Sequence, residues 1–96
     1  MQNTEEIWRL VDAKAPDAIE LADRVWGTPE LCYAEFKSCA AHTELLEQHG
    51  FRVTKNVAGI PTAVMGEAGE DGPVIAILGE YDALPGLSNE AGIAEH

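Results

Sequence analysis

Positive charge is scarce in this chain. Six lysines and arginines stand against seventeen aspartates and glutamates, giving a formal charge of −11. Such a surface repels phosphate backbones and anionic lipid leaflets, which disfavours nucleic acid and membrane partners. Thiols are few as well. Cys32 and Cys39 are too sparse for a disulfide framework, and reduced thiols suit a cytoplasmic protein. Long apolar runs are missing: the longest aliphatic stretch, Val74 to Leu78, falls far below the ~20 residues of a spanning helix. The acidic start, Met1-Gln2-Asn3-Thr4-Glu5-Glu6, lacks the basic and apolar regions of a secretion signal, and a cytoplasmic location is expected. Also absent are a G-x-S-x-G elbow, a P-loop, a dinucleotide fingerprint and an H-E-x-x-H pair.

What remains is an ordinary globular composition, 46% apolar and 24% charged, in 96 residues. That length permits one domain at most, with a modest core and marginal stability.

Periodicity predicts an α/β arrangement, two helices followed by a three-stranded meander. The first helix runs from about Thr4 to Trp26, with Asn3 as its cap and Glu6 at the capping-box position. Ile7, Val11, Ala15, Ala18, Ala22 and Val25 recur every three or four residues and define one face, while Pro16 predicts a kink or a break. Gly27-Thr28-Pro29 ends this segment. A second helix is expected from Phe36 to His49, with Gly50 as its left-handed cap. The period then changes to two: Phe51 to Val57 reads as a strand, Gly59-Ile60-Pro61 as a turn and Thr62 to Glu67 as a second strand. Past the turn at Gly69-Glu70-Asp71-Gly72, Pro73 to Gly79 reads as a third strand, apolar on both faces and therefore in need of cover on both.

Polar groups just beyond the end of a buried strand are where α/β proteins place their sites. That singles out Glu80, Tyr81 and Asp82. Residues two apart on an extended chain point to one side, so Glu80 and Asp82 can face one site while Tyr81 alternates to the other. Two such carboxylates can ligate a cation or orient a metal-bound histidine, or they can be ordinary solvated turn residues. Cys39, His42 and His49 fall near one face of the second helix, where a Cys-x-x-His pair could bind zinc or simply form a half-buried stripe with Leu46. His96 is a weak candidate ligand, and Ser88 reads as a turn residue.

The run Ile77-Leu78-Gly79-Glu80-Tyr81-Asp82-Ala83-Leu84-Pro85-Gly86-Leu87-Ser88 resembles a strand-to-loop signature of the zinc metallopeptidase and amidohydrolase family that holds aminoacylase, hippurate hydrolase and carboxypeptidase G. Its Gly-Glu-Tyr-Asp-Ala-Leu form is most like the aminobenzoyl-glutamate hydrolase type. The likeness extends upstream through Trp26-Gly27-Thr28-Pro29-Glu30-Leu31, Glu35-Phe36-Lys37-Ser38, His49-Gly50-Phe51-Arg52-Val53-Thr54 and Asn56-Val57-Ala58-Gly59-Ile60-Pro61-Thr62-Ala63.

The resemblance implies a catalytic α/β domain holding two metal ions, usually zinc, with manganese or cobalt as alternatives. It also implies an inserted lid that dimerises and a small-molecule N-acyl amino acid as substrate. Asp82 matches the aspartate that orients a metal-ligating histidine, and Glu80 stands where the peptidase branch has a histidine ligand. The family's His-x-Cys-Gly-His segment, its Glu-Glu pair and its lid do not occur in these residues. The expectation is therefore that residues 1–96 are the N-terminal part of the catalytic domain, inactive alone, from a full-length homodimer or paired subunit. The rival expectation is a non-catalytic acidic α/β binding module.

Overall fold

The computed structural model describes residues 3–87. Within them, helix α1 spans Thr4–Trp26 and α2 spans Phe36–Gln48, followed by strands β1 (Arg52–Lys55) and β2 (Val64–Glu67) with a short 3₁₀ turn at Val57–Gly59 between them. The class is α/β, as expected.

Helix α1 runs unbroken through Pro16, with Glu5 and Glu6 in its first turn and Arg24 in its last, where each complements the helix dipole. Asn3 closes the N-terminus through its backbone, accepting from the Ile7 amide, and makes no side-chain cap. The two helices pack antiparallel. The imidazole of His49, at the end of α2, sits between Lys14 Nζ (3.2 Å) and Asp17 Oδ2 (3.3 Å), and Arg24 approaches Glu44 nearer the start. An ammonium group can only donate, so Nδ1 accepts from Lys14 and Nε2–H faces Asp17. Only the C-terminal half of α1 is engaged in this way. Ala15, Leu21 and Val25 are half-buried, whereas Ile7, Val11, Ala18 and Ala22 of the expected stripe are exposed, as are Trp8 and Leu10. The stripe outruns α2, which has 13 residues against 23 in α1 and so cannot cover it.

Helix α2 ends at Gln48 with His49 as its C-cap, and Gly50 follows in the left-handed region (φ 81°), which a side-chain-bearing residue adopts only at a cost. The chain then reverses into the antiparallel pair β1–β2, with Arg52 opposite Glu67 and Lys55 opposite Val64. Gly66 lies beneath α2: a Cβ there would stand 3.1 Å from both Leu46 methyl carbons, so the missing side chain lets helix and hairpin close together. Arg52 secures the next turn by donating to the Gly69 carbonyl (2.9 Å) and pairing with Glu70 (3.4 Å).

The expected third strand does not form. Residues 73–80 carry no regular structure, and Val74 and Ile77 are each 95% exposed, with Ile75 and Leu78 scarcely less so. A strand apolar on both faces gains little by joining a hairpin of two four-residue strands covered by one helix, because its second face would stay in water. The buried apolar set among the described residues is correspondingly small, Cys39 and Ala41, and it is joined by four polar residues: Glu35, Ser38, Thr43 and Thr62.

Candidate functional site

Beyond the exposed segment the chain returns to the body of the molecule at residues 81–83. The amide of Ala83 donates to the Glu30 carbonyl at 2.7 Å, and Leu31 and Ala83 form a parallel bridge. The loop after α1 thus runs beside the Glu80-Tyr81-Asp82 loop. Glu30 is fixed in turn by its carboxylate, which accepts from the amides of Lys37 (3.0 Å) and Ser38 (2.7 Å) in the first turn of α2. These are the donors a helix leaves open at its N-terminus. Desolvation pushes the Glu30 carboxyl up, but the two amides and the nearby Lys37 charge outweigh it and hold the group below its ordinary value.

Tyr81 makes the deepest attachment of the loop. Its hydroxyl donates to the Thr62 carbonyl, and its ring lies 4.9 Å from that of His42 at a tilt of 50°. Thr62 is itself buried, and its hydroxyl donates to Glu35 Oε1 at 3.0 Å. His42 Nδ1–H donates to the Ser38 carbonyl at 2.8 Å, which fixes the face that the imidazole turns to Tyr81. Burial raises the Tyr81 phenol above its ordinary range, and the adjoining Cys39 thiol and the Glu35 and Glu30 carboxylates raise it further.

The two carboxylates expected to matter, Glu80 and Asp82, flank this anchor and are both exposed. The alternation read from the sequence holds in one respect: the central residue turns inward while its neighbours face solvent. Cys39, His42 and His49 do not converge. Cys39 is buried, His42 serves Ser38 and Tyr81, and His49 joins the two helices. Among the described residues no three His, Cys, Asp or Glu side chains gather as a metal site would require. His96 and Ser88 lie outside the described residues. An open groove of about 510 Å³ runs along α2 past Phe36, Thr43, Glu47 and Lys55, and no residue of the 80–83 loop lines it.

Sequence reasoning missed the parts played by Glu30, Glu35, Thr62 and His42. Glu30 had a legible trace, as the acidic residue of the Trp-x-x-Pro-Glu loop shortly before a helix without its own Ser, Thr, Asp or Asn cap. Thr62 and His42 had none, since their roles depend on contacts between distant segments.

No protein-family profile matches the chain. Two curated proteins are similar to it. One is a subunit of p-aminobenzoyl-glutamate hydrolase from Escherichia coli, 46% identical over 99 aligned residues that cover 95% of this chain and 20% of that protein. The other is the Bacillus subtilis protein named "Putative amidohydrolase YhaA", 30% identical over 80 residues that cover 83% of this chain and 20% of that protein. The chain therefore spans about a fifth of the length of the curated relatives it matches. Among the described residues no helix is long and apolar enough to cross a membrane.

Proposed function

We propose that this chain, by sequence a member of the aminobenzoyl-glutamate hydrolase type of amidohydrolases, is the N-terminal part of a catalytic domain that cleaves the amide bond of an N-acyl amino acid. Aminobenzoyl-glutamate is the first substrate to try. The full-length protein works in the cytoplasm as a homodimer or paired subunit, and residues 1–96 alone are inactive.

The observation that carries this reading is the loop at 80–82. It presents two exposed carboxylates on either side of a side chain locked into the fold. Asp82 is the positioning carboxylate in this reading: it accepts a hydrogen bond from an imidazole supplied by the rest of the protein and thereby fixes the orientation and tautomer of that ring. Glu80 stands two residues away and adds negative charge to the same exposed loop.

A catalytic metal does not fit the described residues by themselves. A zinc ion needs about three protein ligands, and no such group is present among them. Zinc, with manganese or cobalt as substitutes, belongs in this reading to ligands outside the described residues.

The test is turnover of aminobenzoyl-glutamate by the full-length protein, measured beside metal content for wild type and Asp82→Ala. A loss of ~10–100-fold in either quantity is expected for a residue that orients a ligand. Normal turnover and normal metal in Asp82→Ala would remove this loop from the active site.

A further inference from the structure

Tyr81 differs from its two neighbours in that every polar and aromatic feature of its side chain is engaged, through the phenol on the Thr62 carbonyl and the ring on His42. The acceptor is no passing surface group. Thr62 is 4% exposed and is tied through its own hydroxyl to Glu35, which is 8% exposed. Glu35 sits at the N-cap of α2, its carbonyl accepting from the Cys39 amide at 2.9 Å. His42 lies one turn along the same helix from Ser38, whose carbonyl holds the imidazole. A connected path of hydrogen bonds and one ring contact thus joins the rigid helix α2 to the middle residue of an otherwise irregular loop. Glu80 and Asp82 have no such hold of their own.

We propose that Tyr81 is a positioning residue that sets the direction of the Asp82 and Glu80 carboxylates by anchoring the backbone between them to Thr62 and His42. The proposal rests on the reading of the 80–82 loop as part of the active site. Its physical basis is leverage. The carboxylate carbons lie only a few bonds from the Tyr81 backbone; the Ala83 amide on the Glu30 carbonyl holds the chain on one side of them, and the Tyr81 anchor removes the pivoting of residues 80–82 about that point. A displacement of ~1 Å in a catalytic arrangement can lower a rate by about 100-fold. A part-buried hydroxyl-to-carbonyl bond suits this purpose because breaking it leaves the carbonyl of buried Thr62 without its partner. The direction of the Tyr81 phenol's shift agrees, since a phenol engaged as a donor in a partly dry site resists losing its proton.

The experiment uses the full-length protein and three variants, Tyr81→Phe, Tyr81→Leu and Asp82→Asn, with aminobenzoyl-glutamate as the probe. Tyr81→Phe deletes only the hydroxyl and keeps the ring against His42. It is expected to lower kcat by ~10-fold while KM stays within about twofold and the melting temperature hardly moves. Tyr81→Leu is expected to lower kcat further, because the ring contact goes as well. A fold defect also lowers apparent kcat with KM unchanged, so kcat is referred to the active fraction: lost positioning slows each folded molecule, whereas a fold defect only reduces their number. Active-site titration of the folded fraction supplies that correction, so a poorly folding Tyr81→Leu still reports. If Asp82→Asn is crippled and Tyr81→Phe turns over at the wild-type rate, the positioning role is overturned and the site assignment stands. If both variants match wild type, the site assignment falls and the positioning role with it.

Discussion

The carbonyl of Glu30 accepts the amide of Ala83 at 2.7 Å, and the carboxylate of the same glutamate caps α2. One residue therefore ties the candidate active-site loop to the helix against which Tyr81 rests. Its two roles can be separated by mutation, because the backbone carbonyl survives any substitution while the carboxylate does not.

Glu30→Gln should loosen the first turn of α2 and so reach the loop indirectly. The folded carboxyl is held below its reference value of 4.5. The stability it contributes is fully present above that value and is lost as pH falls through the lower folded value. Acid titration followed by helical circular dichroism should show a wild-type loss below about pH 4.5 that is shallower in Glu30→Gln. Superimposable acid limbs would show that the cap contributes nothing measurable.

Tyr81 makes the opposite prediction at high pH. Its folded pKa lies above the reference value of 10.0, so the fold prefers the neutral phenol. That preference stabilises the protein fully below the reference value and is lost as pH rises through the raised one. With Tyr33→Phe, Tyr81 is the sole tyrosine of the chain. Absorbance of the remaining phenolate should then appear only well above pH 10 in the folded protein and near 10 in denaturant. Coincident curves in the two conditions would mean that the bond to Thr62 does not persist in solution.

The exposed run Val74 to Leu78 should govern the behaviour of the isolated chain. Unpaired among the described residues, exposed and continuously apolar, it is a template for edge pairing and for dye binding. Oligomers or strong binding of a hydrophobic dye are expected despite the net charge of −11, and Ile75→Lys with Ile77→Lys should reduce both severalfold. A monodisperse wild-type monomer with a sharp cooperative melt would refute this.

Purified residues 1–96 should show no amidase activity with zinc, cobalt or manganese, because no group of three ligating side chains is assembled among the described residues. Turnover that survives rigorous removal of contaminating enzymes would overturn that expectation. Glu80→Gln in the full-length protein should cost less activity than Asp82→Ala if Glu80 shapes charge rather than holding a partner.

Both helices and the hairpin were legible because their signals are local: apolar residues every three or four positions, Gly50 after α2, and the change to a period of two at Phe51. The failure at Val74 to Leu78 has a physical cause. Those residues have strand chemistry, but a strand is a relation between partners, and the described residues supply none. The apolar stripe of α1 shows the same limit: periodicity shows which face seeks cover, not whether anything covers it. At the candidate site, Glu80 and Asp82 are singled out by their place after an apolar run, while Tyr81 reads only as the residue that alternates away. What lay on that other side, Thr62 and His42, is fixed by tertiary contacts that no spacing encodes.

The bridge between Leu31 and Ala83 joins positions roughly fifty residues apart, whereas α1 with α2 and β1 with β2 are neighbours along the chain. Closing so long a span has an entropic cost that grows with its length, and that cost must be met before the contact returns anything. The helix pair and hairpin can therefore assemble first and present the finished surface on which residues 81–83 settle. In the reading proposed for this loop, the direction of the Glu80 and Asp82 carboxylates therefore depends on a helix pair and hairpin that are already in place.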